Sequence, residues 1–274
     1  MLGEGPAWDV VRTAARRAEV KVVPLERLED GDRVRSVIDA VWGEQVLPRE
    51  LVKAFQHAGS ILYGAEAEDR LVGFVMGFAG LADGLHVHSH MLASLPGWED
   101  RGVGYSLKLA QRAACLDHGI AEARWTFDPL VARNARFNLV KLGAVAFRMH
   151  SNFYGEMADR LNRGDRSDRF EVRWRLDSER VEHAVAGTVT APPEGGAVLE
   201  AVGDPPEPKP TGLAPVPGIT VAVPRDHLAL KGAHPELAGR WRDASAEMFR
   251  VCFDAGLQAT WFDRDRGYVF TEPA

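Results

Sequence analysis

Residues 85–107 limit the chain's fold more than any other stretch. Leu85 to Leu95 reads as a long strand that stops at Pro96, and Gly102 to His118 reads as a helix with Leu109, Ala113 and Leu116 on one face. Gly119 supplies the helix stop. The two elements are joined by Glu99-Asp100-Arg101-Gly102-Val103-Gly104-Tyr105-Ser106-Leu107. A strand that passes through glycines into a helix leaves several backbone N–H groups at the helix start without intrahelical partners, and these with the helix dipole attract an anion. Gly102 and Gly104 let a phosphate approach without a Cβ in the way. The blander alternative is a helix that starts with two glycines. No Gly-Lys-Ser/Thr of a nucleotide-triphosphate loop is present, and the third glycine of a dinucleotide fingerprint is absent.

The surrounding pattern alternates strands and helices and predicts a mixed α/β (α+β) chain. Val20 to Pro24 reads as a strand, Glu26 to Trp42 and Pro48 to His57 as helices, and Ser60 to Glu66 with Arg70 to Phe78 as a hairpin turning at Glu68 and Asp69. Glu122 to Phe127 is a strand, Ala132 to Leu142 a helix ended by Gly143, and Val145 to His150 and Phe170 to Leu176 further strands. A short helix is expected over Gly155 to Asn162. Proline, glycine and acid crowd residues 192–217, so the expected division is a larger domain over 1–183, a linker over 184–217 and a smaller C-terminal α/β unit over 218–274. In that last unit Ile219 to Pro224 reads as a strand, Pro235 to Ala255 as a helix, and Leu257 to Asp263 with Tyr268 to Thr271 as a hairpin. Its Trp241, Phe249, Phe253 and Trp261 fit either a core or a homodimer contact.

Of the 274 residues 46% are hydrophobic, enough for a substantial core, and the net charge of −6 argues against a nucleic-acid surface. Two cysteines give neither a disulfide framework nor zinc spacing, which points to a reducing, cytoplasmic setting. The first eighteen residues lack the apolar run of a signal peptide, and no stretch reaches membrane length.

The Arg101-Gly102-Val103-Gly104 loop between the fourth strand and the helix after it resembles motif A of the GNAT acyltransferase superfamily, and Asn134 to Ala144, with its Lys141-Leu142-Gly143, resembles motif B. The order of elements over about residues 20–176 is similar to that family's. Trp125-Thr126-Phe127-Asp128-Pro129-Leu130 with Asn134-Ala135, and Asn152-Phe153-Tyr154-Gly155 with Leu161-Asn162 and Ser167-Asp168-Arg169, resemble more narrowly a branch of predicted GNAT enzymes with a C-terminal extension. The resemblance implies a GNAT fold, a mostly antiparallel mixed sheet flanked by helices. It also implies acetyl-CoA or another acyl-CoA as co-substrate, no metal, and direct transfer of the acyl group to a small-molecule or peptide amine. By the same resemblance the backbone of Arg101, Gly102, Val103, Gly104, Tyr105 and Ser106 would hold the pyrophosphate, Met91, Leu92 and Ala93 would pair with the pantetheine arm, and Asn134 would lie near that arm. A non-catalytic acyl-CoA-binding module is the alternative.

Two positions depart from the family pattern. Glu99 stands where Gln or Arg is usual, and a carboxylate beside a pyrophosphate is unfavourable unless it turns away or pairs with Arg101. Leu139 fills the slot of the usual general-acid tyrosine and cannot protonate a thiolate. Tyr154 is the substitute donor, or else a packed aromatic. His86, His88 and His90 alternate along one strand, about 6–7 Å apart on one face, a poor metal set. His88 and His90, nearer the cofactor end, are candidate general bases, or else hydrogen-bonded strand residues. Asp128 caps a turn or binds a cationic acceptor, Arg133 and Arg136 steer an anion or form a solvated face, and Trp125 and Cys115 read as packing.

Overall fold

The structure is a computed structural model that describes residues 2–43, 47–157, 164–193 and 195–273. It divides into two compact units, one ending at Arg124 and the other beginning at Trp125. The first opens with α1 (Pro6–Arg17), absent from the sequence expectation. Pro6 sits in its first turn, where a missing N–H costs nothing, and Trp8, Val11 and Ala15 form its buried face. The Trp8 indole donates to Asp117 at 2.7 Å. Then follow β1 (Lys21–Pro24), α2 (Leu28–Trp42), α3 (Arg49–His57), β2 (Ile61–Ala67), β3 (Arg70–Gly80), β4 (His86–Ser94), α4 (Val103–Asp117) and β5 (Glu122–Phe127), which contains the division point.

β1 to β4 pair antiparallel in sequence order, and β5 joins β4 in parallel. The β2–β3 turn is the two-residue kind, with Glu68 and Asp69 at φ 49° and 59°, a mirror-image geometry that matches strand twist. β3 is buried almost throughout because both faces are covered. Phe74 and Met76 pack with Val34, Val37 and Ile38 of α2, while Val72 and Val75 pack with Val103 and Leu107 of α4. α4 packs against the sheet and against α1, so even its polar Lys108, Gln111 and Arg112 are buried.

The second unit continues with α5 (Ala132–Arg136), β6 (Val145–His150), β7 (Arg169–Arg175), α6 (Glu179–Ala186), β8 (Ala197–Val202), β9 (Glu207–Pro210), β10 (Ile219–Val221), α7 (His227–Ala233), α8 (Pro235–Asp254), β11 (Gln258–Asp263) and β12 (Gly267–Thr271). Its strands run in the order β7-β6-β11-β12-β10-β8-β9. The helix expected over Ala132 to Leu142 changes character midway: α5 gives way to a widened π turn over Phe137–Lys141, which Gly143 ends at φ 71°.

Residues 197–210, inside the stretch read as linker, form β8 and β9. Prolines fit there because β9 is the outermost strand, where a missing donor costs no ladder bond. The C-terminal elements share a core with the β6–β7 hairpin: Phe170 meets Phe249 and Phe253 of α8 and Tyr268 of β12, with centroids 4.6–5.2 Å apart. Trp241 and Phe249 are fully buried, as core residues are. Most of the helix expected over Gly155 to Asn162 lies outside the described residues, as do Leu161 and Asn162, and the described part is not helical. No helix among the described residues is long and apolar enough to cross a membrane.

Candidate functional site

In the first unit the residues of interest lie on β4 and at the start of α4. β4 carries a bulge: Gly77 opposes Ser89 and Met76 opposes Met91, so His90 has no partner on β3. An extra residue of this kind bends its strand and drops its backbone from the ladder. It also changes the side-chain alternation. Ser89 faces α4, whereas His90 and Met91 both lie with the α2 and α3 side. Strict alternation would put His90 and Met91 on opposite faces, and the extra residue in the ladder is why they are not. On the other edge, the recorded parallel ladder to β5 consists of Val87↔Ala123 and His88↔Arg124 among the described residues. Among the described residues no further pair of this ladder follows His88.

His88 and His90 flank the Phe78 ring at 5.3 and 5.7 Å, and their own rings are 6.1 Å apart. Phe78 stacks in turn on Phe55 at 5.2 Å. His90 is exposed, and partial desolvation lowers its imidazole pKa. A neutral imidazole can accept a proton. His86 is occupied differently, buried with Nδ1 at 2.9 Å from the Gly84 carbonyl.

At the head of α4, Gly102 takes a left-handed conformation at φ 89°, and no side chain caps the helix. The N–H groups of Val103, Gly104 and Tyr105 point out of the first turn as in any helix start. Ser106 uses its hydroxyl locally, donating to the Val103 carbonyl at 2.8 Å. A Cβ at Gly104 would make only an ordinary 3.6 Å contact with Leu92, so nothing in the chain requires glycine there. The same contact shows that the helix start lies beside Leu92 of β4. Glu99 turns away from the loop, and its carboxylate accepts from the Gly97 N–H at 2.6 Å. The Arg101 guanidinium sits 4.6 Å above the Trp98 ring. The expected set Met91, Leu92, Ala93 and Arg101 to Ser106 is thus brought together with His88 and His90 within one unit.

Asn134 and Tyr154 belong to the second unit. Asn134 is half-buried in α5, its N–H donating to the Val131 carbonyl. Tyr154 is exposed, its hydroxyl 3.3 Å from Thr126 Oγ1 and its ring under the Arg169 guanidinium. Leu139 is fully buried. Its carbonyl, with those of Gly143 and Thr260, receives the Arg180 guanidinium, which satisfies acceptors that the π turn frees. Asp128 both caps and pairs: it accepts from the Leu130 N–H at 2.9 Å and binds Arg242 bidentately at 2.7 and 2.9 Å. Arg242 also reaches Asp165, which accepts from His227 at 2.9 Å. Cys115 is buried and its thiol is pushed up to about 12 by that burial, as packing requires. Trp125 meets Trp174 edge to face at 5.8 Å in the core.

Sequence reading missed two polar clusters. One is Asp165, His227 and Arg242, separated by up to 77 residues and carrying no local signal. The other is Lys108 with Gln111 and Ser89. Its signal was present: polar residues three apart in a helix otherwise lined with Leu and Ala.

No protein-family model matches the chain, and no curated protein matches it. Among solved structures it is similar to the ribosomal-protein-S18-alanine N-acetyltransferase from Escherichia coli, at 13% identity over 58% of this chain and 95% of that one, with a TM-score of 0.48. It is similar to an acetyltransferase of the GNAT family from Streptococcus pneumoniae, at 13% identity over 57% and 98%, TM-score 0.47. Arabidopsis thaliana Naa50, in complex with a bisubstrate analogue, is similar at 16% identity over 57% and 97%, TM-score 0.47. In fold, the chain is similar to GNAT-family acetyltransferases over a little more than half its length.

Proposed function

We propose that this chain is a member of the GNAT superfamily that transfers an acyl group, with acetyl the proposed one, from coenzyme A to an amine. The observation that carries the reading is the pairing of an uncapped helix start with a bulged strand. Gly102 and Gly104 lead into α4, and beside them β4 is bulged at His90, with no ladder pair to β5 after His88 among the described residues. A ligand with a pyrophosphate at one end and an amide-bearing arm at the other suits both: the phosphates take the α4 amides, and the arm takes the backbone of Met91 to Ala93. Glycine at 104, which the chain's own packing does not require, then leaves room for phosphate oxygens.

The reaction we propose is direct. His90 or His88 takes a proton from the acceptor ammonium, through water where needed. The freed amine attacks the thioester carbonyl, the C–N bond forms, the C–S bond breaks, and coenzyme A leaves as a thiolate that takes up a proton. Backbone N–H near the bulge stabilises the oxygen as charge develops. Tyr154 is the proposed proton donor, and Tyr154→Phe tests that role: turnover should fall while acetyl-CoA binding stays unchanged. The acceptor is a small-molecule or peptide amine, and the proposed setting is the cytoplasm.

Calorimetric titration of acetyl-CoA and longer acyl-CoAs tests the reading. Wild-type protein should bind, and Gly104→Val should weaken binding by about a hundredfold, because a side chain there displaces the phosphates. Absence of binding by any acyl-CoA sinks the proposal. Binding without turnover of any amine favours the non-catalytic module, to which the buried Leu139 at the acid slot also points.

A further inference from the structure

Lys108 is 2% exposed, deep under α4. Its ammonium donates to Ser89 Oγ at 2.8 Å and to Gln111 Oε1 at 3.0 Å. Ser89 is the β4 residue between His88 and His90, at the edge of the bulge, and it pairs with Gly77 of β3. Gly77 is itself part of the arrangement: a Cβ there would lie 2.7 Å from Gln111 Nε2 and 2.8 Å from Val87 Cγ1, so the glycine makes room for the Gln111 amide. Three elements therefore meet at this point, and a lysine of α4 ties them together from the side of the sheet opposite the histidine rings.

Burial pushes the Lys108 ammonium down to about 7. The hydroxyl of Ser89 and the amide of Gln111 are neutral, and burial of the cation outweighs what its surroundings return. An apolar side chain of similar length would pack here without that cost, so stability does not account for the lysine. Position does. Lys108 lies five residues beyond Val103, about 7.5 Å up the helix axis from the first-turn amides. A rigid helix held at that point fixes its own start relative to the bulge.

We propose that Lys108, held by Ser89 and Gln111, is a positioning residue that sets the distance between the start of α4 and the β4 bulge, so that one ligand can engage both at once. The inference rests on the acyl-CoA reading given above.

The test compares two ligands: acetyl-CoA, which spans both ends, and adenosine 3′-phosphate 5′-diphosphate, which carries only the phosphate end. Lys108→Met should weaken acetyl-CoA binding about tenfold and leave the nucleotide's affinity unchanged, with a melting temperature at or above wild type. Ser89→Ala should give the same loss, and the double variant no further loss, because the two act as one unit. Amides of His90 to Leu92 should exchange faster in Lys108→Met while those of α4 stay protected. Unchanged acetyl-CoA affinity with unchanged β4 exchange would overturn the inference and leave the acyltransferase reading intact. If wild type binds neither ligand, that reading fails, and the β4 exchange alone still decides whether Lys108 holds the bulge. Should Lys108→Met not fold, Ser89→Ala carries both measurements.

Discussion

Each unit buries a cation, and the two are treated in opposite ways. Arg242, in the second unit, lies between two carboxylates and binds both Asp128 and Asp165. Burial works against its charge, but the bonds to Asp128 and Asp165 outweigh that and raise its pKa above the ordinary value. Lys108, in the first unit, is held by a hydroxyl and an amide, and burial lowers its pKa to about 7. The planar guanidinium serves where fixed, bidentate pairing is wanted, and the ammonium where a compact donor can turn to separate acceptors. One cation strengthens its unit and the other burdens it.

The largest expected effect is at Arg242. Arg242→Met should cost about 3–5 kcal/mol of stability in urea unfolding, because it removes a buried cation from between two partly buried carboxylates. A loss under about 1 kcal/mol would mean that water already reaches the pair. Lys108→Met should move the other way, by about 1–4 kcal/mol. The sign with pH is specific. A lysine depressed below its ordinary 10.5 binds fewer protons folded than unfolded, so its penalty is full below about 7 and fades as pH rises toward 10.5. The stabilisation by Lys108→Met should shrink over that window, and a gain independent of pH would contradict the buried, titrating amine.

A smaller effect, about 1–3 kcal/mol, is expected of Asp165→Asn, which keeps the shape and loses the charge. Burial opposes ionisation of Asp165, yet bonds from His227 and Arg242 hold its carboxyl well below the ordinary 3.8. Its contribution is therefore present above pH 3.8 and lost as pH falls further, and Asp165→Asn should flatten that part of the acid-unfolding curve. Smallest is the exposed cation of the set. Arg101→Ala should cost about 0.5–1 kcal/mol through the lost contact with the Trp98 ring, read as a drop in melting temperature.

Where local rules decide structure, the chain could be read directly. The two-residue turn at Glu68 and Asp69, the strand Glu122–Phe127 and the glycine entry to α4 each depend on a few neighbouring residues. α1 could have been found as well, since Trp8, Val11 and Ala15 recur at helical spacing behind Pro6, though no long apolar run draws attention to them. β8 and β9 were hidden by prolines that an edge strand tolerates. The bulge at His90 leaves no mark in composition, because only the partner strand reveals that one residue is extra. The Arg242 cluster joins residues more than seventy positions apart, beyond the reach of any spacing rule.

The widened turn at Phe137–Lys141 has a consequence for comparing this chain with any other. A π turn takes one residue more than an α turn, so it rotates everything after it by one step of the helix. Residues on either side keep different clocks: Asn134 is timed by α5, Lys141 and Gly143 by the turn that follows. Counting back two places from Lys141 to find an acid crosses that change of phase. It lands on Leu139, a side chain buried in the core and a carbonyl tied to Arg180. A candidate acid for the proposed transfer has to be sought by direction in space, because an alignment that admits no one-residue gap here points inward.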